Sequence, residues 1–88
     1  MVRGELKSGF QFEIDAEALD DMEFVEVLAE AEKSGLAFPK LCTMMLGEEQ
    51  KKRLYDHLRN EKGKVPIKAV QDAIIDMMAL AGDKTKNL

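Results

Sequence analysis

Tryptophan is absent from this chain, and Cys42, His57 and Tyr55 are each the single residue of their kind. One cysteine excludes an intramolecular disulfide. Set between Leu41 and Met44, in no environment that would lower a thiol pKa, it reads as a small buried apolar residue. One histidine, with no serine, cysteine or acid constellation around it, builds neither a catalytic triad nor a metal pair, so His57 reads as a helix-surface residue. There is no Gly-rich phosphate loop, no Cys or His pair at metal-ligand spacing and no nucleophile elbow. The carboxylate-rich stretch from Asp15 to Asp21 lacks the central glycine and terminal glutamate of a calcium loop. A carrier-protein reading fails as well, because Ser8 falls in a turn and Ser34 at a helix end, so neither stands after an acid at a helix start. No catalytic, cofactor or metal site is assigned, and a non-enzymatic binding protein is expected. No apolar run approaches the roughly 18 residues of a membrane span, and Arg3, Glu5 and Lys7 interrupt the amino terminus where a signal peptide needs an apolar core. A cytosolic address with no membrane partner is the corresponding expectation.

Bases are outnumbered, 13 against 17 acids, for a net charge of -4. Such a surface repels phosphate backbones, which disfavours nucleic acid as a partner. The charges are also segregated. Nine carboxylates and no Lys or Arg lie between Glu13 and Glu32, whereas Lys51 to Lys68 holds seven bases against Asp56 and Glu61. The molecule should carry an acidic and a basic pole.

With 88 residues, 45% hydrophobic and 34% charged, the chain has the composition of one small globular domain. A domain of this size buries only about 60 to 65% of its unfolded surface, so its stability should be modest. Val2, Leu6, Phe10, Phe12 and Ile14 alternate with polar residues about Ser8 and Gly9, the period of two expected of a β-hairpin. Two strands are marginal in water, so helices must cover the apolar face. Asp20 with Glu23 forms a capping-box variant that opens a first helix over about Asp21 to Ser34, with Gly35 as a left-handed stop. Phe38 and Pro39 start a short, nearly all-apolar second helix through Leu41, Cys42, Met44, Met45 and Leu46, placed at the centre of the core. Gly47 breaks or bends the chain. Glu48 to Arg59 forms a third, surface helix, packed by Leu54, Tyr55 and Leu58 and supported by the pairs Glu48 with Lys52 and Glu49 with Arg53. After a polar turn at residues 60–64, Pro66 begins a fourth helix in which Ile67, Val70, Ile74, Met77, Met78 and Ala81 share one arc. Gly82 is expected to end it. The predicted fold is α+β, mainly α: an N-terminal β-hairpin packed against about four short helices in one domain, residues 1–82, with a flexible tail at 83–88.

Two surfaces qualify as partner-binding. Glu23, Glu26 and Glu30, spaced by three and four, form an acidic stripe on the first helix. It reads either as a solvated face or as an electrostatic dock for a basic partner or a neighbouring copy. The same helix carries two apolar stripes, Phe24, Val27, Leu28 and Ala31, and beside it Met22, Val25 and Ala29, more than one contact needs. Either the hairpin and the second helix cover one each, or one stripe is spare. On the fourth helix Ile75 and Leu80 fall outside the apolar arc. Met22, Val25, Ile75 and Leu80 are therefore the candidate apolar contacts, with Glu23, Glu26 and Glu30 as the candidate charged ones.

The order of a hairpin, Leu19-Asp20-Asp21-Met22-Glu23-Phe24-Val25-Glu26, Phe38-Pro39-Lys40-Leu41, Leu46-Gly47-Glu48-Glu49-Gln50, Gly63-Lys64-Val65-Pro66 and a final helix resembles the small tail assembly chaperones of siphophages and prophages of Gram-positive bacteria. The resemblance covers nearly the whole chain, although each string singly is an ordinary cap, turn or helix start. It implies a protein of the bacterial host cytoplasm that binds the tape measure protein, keeps it soluble and helps recruit tail tube subunits. It also implies a frameshifted longer product joined near residues 82–88. Alternatives of other classes are a structural head-tail adaptor retained in the virion and a host-directed regulatory binding protein.

Overall fold

A computed structural model of the chain describes the backbone of residues 1–85 and the side chains of residues 1–82. Strands β1 (Val2–Glu5) and β2 (Gln11–Ile14) pair antiparallel, with Val2 opposite Ile14 and Gly4 opposite Phe12. The turn closes through Gly9 N–H to Leu6 O (2.8 Å) and Leu6 N–H to Phe10 O (2.9 Å). This is a three-residue loop closed by glycine. Val2, Leu6, Phe10, Phe12 and Ile14 are all buried, as the alternation of apolar residues requires. Across the ladder the Phe12 ring lies on Gly4 so closely that a Cβ there would sit 2.6 Å from the ring. The outer face holds the pair Arg3 to Glu13, 2.7 Å apart.

Four helices follow: α1 (Ala16–Leu19), α2 (Met22–Lys33), α3 (Phe38–Leu58) and α4 (Ile67–Thr85), with a 3-10 turn at Gly35–Ala37 between α2 and α3. The expected α+β, mainly helical fold is thus observed, with the hairpin packed on helices α3 and α4. Its details differ from expectation in several places. Asp21 rather than Asp20 caps α2, because Asp20 already closes the one-turn α1 by donating its N–H to Glu17 O. The Asp21 carboxylate accepts from Glu23 N–H at 3.0 Å. Gly35 is not a left-handed stop. Ser34, in extended conformation, ends α2, and its hydroxyl accepts from Leu36 N–H to open the 3-10 turn. Leu36 is thereby turned outward, 91% exposed.

Gly47 does interrupt the chain, but as a bend within α3 rather than a gap between helices: its φ of 79° and ψ of 166° belong to a region nearly confined to glycine. Leu41, Cys42, Met45 and Leu46 before the bend and Leu54 after it are buried. Glu48 pairs with Lys51 at 3.3 Å rather than with Lys52. The Lys51 ammonium lies 2.9 Å from Thr43 Oγ1, so it ties the two halves of the bent helix together. Arg53, expected to meet Glu49, instead stands over the Phe10 ring, 5.3 Å from its centre.

In α4 the buried face is Val70, Ala73, Ile74, Met77 and Ala81. Ile67, expected in that arc, is 72% exposed because it begins the helix before the helix meets the core. Met78 is half-buried at the core edge. Gly82 does not end the helix, which runs to Thr85; the positive-φ glycines are Gly9, Gly47 and Gly63. Residues 83–85 of the expected flexible tail therefore belong to α4, and 86–88 lie outside the described residues.

The two glycines should respond oppositely to alanine. Gly47→Ala forces a side chain into strained backbone and should lower urea-measured stability by about 1–3 kcal/mol. Gly82→Ala, in a helix with open space at its Cβ, should raise it by about 0.5–1 kcal/mol.

Candidate partner-binding groove

Both halves of the bent α3 reach one surface. Phe38 and Pro39 come from its start and Tyr55 from beyond the bend, while Leu36 from the 3-10 turn and Val65 and Ile67 from the entry to α4 complete an apolar groove of about 440 Å³. Local chemistry fixes its far wall. Asn60 N–H donates to Lys64 O at 2.8 Å, and Asn60 Oδ1 accepts from the N–H groups of Lys62 and Lys64, each at 3.0 Å. Arg59 adds a hydrogen bond to Gly63 O. This knotted loop sets Val65 half-buried against the core and presents Ile67 to solvent.

The groove was not legible in the sequence. A lone Leu36 beside a glycine reads as a turn residue, and Ile67 fits the apolar period of α4. Only their exposure, 91% and 72%, reveals them. An exposed pair of large aliphatic side chains flanking an apolar depression is the kind of surface that marks a contact site.

The seven residues singled out from the sequence fall in two places. Met22 and Val25 are exposed, at 72% and 48%, beside the exposed Glu23, Glu26 and Glu30, while Phe24, Val27 and Ala31 face the core. The spare stripe on α2 is thus uncovered, and neither the hairpin nor the start of α3 lies on it. Ile75 is also exposed, at 55%, but Leu80 is half-buried and packed on the core edge. None of these seven residues lines the apolar groove. His57 lies on the helix surface, with Nε2 3.0 Å from Ser8 Oγ and its ring 5.5 Å from that of Phe10, so it pins the hairpin turn to α3. Among the described residues there is no group of three or more His, Cys, Asp or Glu placed to hold a metal ion, and no helix is long and apolar enough to cross a membrane. No family model, curated protein or solved structure matches this chain.

Behind Tyr55 lies Cys42, fully buried. Burial pushes its thiol above the ordinary value of 9.0, with Lys51 and Tyr55 opposing more weakly. Tyr55 is raised from 10.0, first by burial and then by Cys42. Both groups hold their protons more tightly folded than unfolded. Their contribution is therefore complete below the unfolded thiol value and is lost as pH rises through the folded values. Urea denaturation should show stability constant between about pH 7 and 8.5 and falling above about pH 9, with Cys42→Ala reducing the slope. An unchanged slope in that variant would remove Cys42 as its source.

Proposed function

We propose that this chain is a tail assembly chaperone of a long-tailed phage or prophage, a binding protein without chemistry of its own that holds an apolar helical segment of the tape measure protein. The observation that carries this reading is the groove flanked by Leu36 and Ile67. An amphipathic client helix laid in such a groove buries its apolar face against Phe38, Tyr55 and Val65, the mode used where one helix docks in another protein's cleft. Covering Leu36 and Ile67 contributes about 1.5–3 kcal/mol for each side chain fully buried. The order of sequence strings that resembles the chaperone family supports the same reading. Recruitment of tail tube subunits belongs to the proposal through that resemblance.

Leu36→Lys with Ile67→Lys should leave melting nearly unchanged, since both side chains are already in water, and should reduce the soluble yield of co-expressed tape measure protein at least about tenfold, a loss of roughly 1.4 kcal/mol or more in binding. Ile75→Lys, away from the groove, should leave that yield intact. A folded double variant that retains normal capture would contradict the groove as the client site.

A further inference from the structure

The hairpin has two edges, and the rest of the chain meets them differently. Leu6 N–H donates to Phe10 O at 2.9 Å, and the register sets Gly4 opposite Phe12 and Val2 opposite Ile14. Antiparallel pairs alternate between those that exchange ladder hydrogen bonds and those that do not. Leu6, Gly4 and Val2 therefore bond across to β2, while the backbone groups of Arg3 and Glu5, and of Glu13 opposite Arg3, turn outward. On β2 the outward groups of Glu13 are met by the Gln50 amide, whose Oε1 accepts at 2.9 Å and whose Nε2 donates at 2.8 Å. On β1 the N–H and C=O of Arg3 and Glu5 have no such partner among the described residues.

Beside this open edge stands α4, the helix packed against β1 as α3 is packed against β2. Glu5, Leu6 and Lys7 on the strand side and Asp76, Ala79 and Leu80 on the helix side line a depression of about 270 Å³. A strand edge with free donors and acceptors above a helical shelf is the form of surface that takes up an extended peptide as an additional strand. Side chains set the sequence it accepts. Arg3 and Glu5 are exposed on the outer face, and in antiparallel pairing each stands directly opposite one peptide residue. Glu5 has no ion-pair partner among the described residues, and Arg3, met at Nε by Glu13, keeps further guanidinium donors. Read from its amino end, the complementary strand carries a base opposite Glu5 and, two residues later, an acid opposite Arg3. The residue between them points to the helix side of the sheet, where an apolar side chain belongs.

We infer that the β1 edge binds an extended segment of a partner protein as an added antiparallel strand, and that the segment carries a base and an acid two residues apart. The strand of a second copy has that order in Arg3, Gly4 and Glu5, but its own helix excludes it. Strands lie about 4.8 Å apart, whereas packed helices need about 8–10 Å between axes. Since α4 lines the outer side of the edge, a two-fold through that edge would crowd α4 against its copy beneath the same two strands. An extended segment brings no helix with it. This site shares no lining residue with the groove at Leu36 and Ile67, so the two stand or fall separately.

Amide nuclear magnetic resonance of the isotope-labelled intact chain, titrated with a capped Thr-Val-Lys-Val-Glu-Val-Thr peptide, tests this. Saturable shifts should appear at Arg3 and Glu5, and hydrogen exchange of those two amides should slow by at least about tenfold as they gain partners. Exchanging Lys and Glu within the peptide sets like charges opposite each other and should weaken binding at least about tenfold. Methylating the peptide's Glu nitrogen removes the donor to Arg3 O and should weaken it as much. Glu5→Pro removes an outward N–H without breaking a β1 to β2 hydrogen bond, so it should keep the melting transition and lose at least about tenfold in affinity. Should that variant fail to fold, the methylated peptide decides. No saturable shift at Arg3 and Glu5, equal binding of the charge-exchanged peptide, or undiminished binding of the methylated one would each overturn the inference. Shifts of the same amides with protein concentration alone would give the edge to a second copy and overturn it as well.

Discussion

The bend at Gly47 is the constraint on which the rest of this small protein depends. A straight helix of the length of α3 would present one apolar stripe, yet the chain needs Leu41, Cys42, Met45 and Leu46 in the core on one side of the bend and Leu54 on the other. Bending frees backbone groups that must find partners. Gln50 supplies them. Its Nε2 donates to Leu46 O and to Glu13 O, each at 2.8 Å, while its Oε1 accepts from Glu13 N–H at 2.9 Å. One side-chain amide thus caps the broken helix and also pairs with the edge of β2 as a neighbouring strand would. The hairpin, too short to stand alone, is held by this amide, by the His57 contact to Ser8 and by Phe10, which carries Arg53 over its ring and His57 tilted against it.

The same bend creates the apolar groove. Phe38 and Tyr55 belong to one helix but meet across the groove only because α3 changes direction between them. A chain this small has little core to spare, and it nonetheless leaves Met22, Val25, Leu36, Ile67 and Ile75 largely in water. Exposed aliphatic side chains grouped in this way are of the kind that mark a contact site.

Where the local signal was strong, the sequence could be read to the residue. The alternation from Val2 to Ile14 placed every inward side chain of the hairpin, the apolar run after Pro39 placed the buried start of α3, and Gly47 was recognisable as a break. Errors arose where tertiary contacts or neighbouring elements decide. Asp20 lost its cap role to Asp21 because a one-turn helix precedes it, and Gly82 stayed helical because nothing after it stops the helix before Thr85. Ala73 was missed in the core because alanine carries almost no periodic signal. The spare stripe on α2 was visible as surplus apolar residues, but whether another element covered it could not be read from periodicity. The groove was invisible for a related reason. Its walls come from residues far apart in sequence, and the outward turn of Leu36 depends on the Ser34 cap.

The proposed role turns on whether the Leu36 and Ile67 groove accepts the apolar face of a helix. Titration of a synthetic amphipathic helical peptide from a tape measure protein into the isotope-labelled chain, followed by amide nuclear magnetic resonance, tests this. Saturable shifts concentrated at Leu36, Tyr55, Val65 and Ile67, with the hairpin unmoved, are expected. Shifts centred on Ile75 or the hairpin, or none at all, would contradict it.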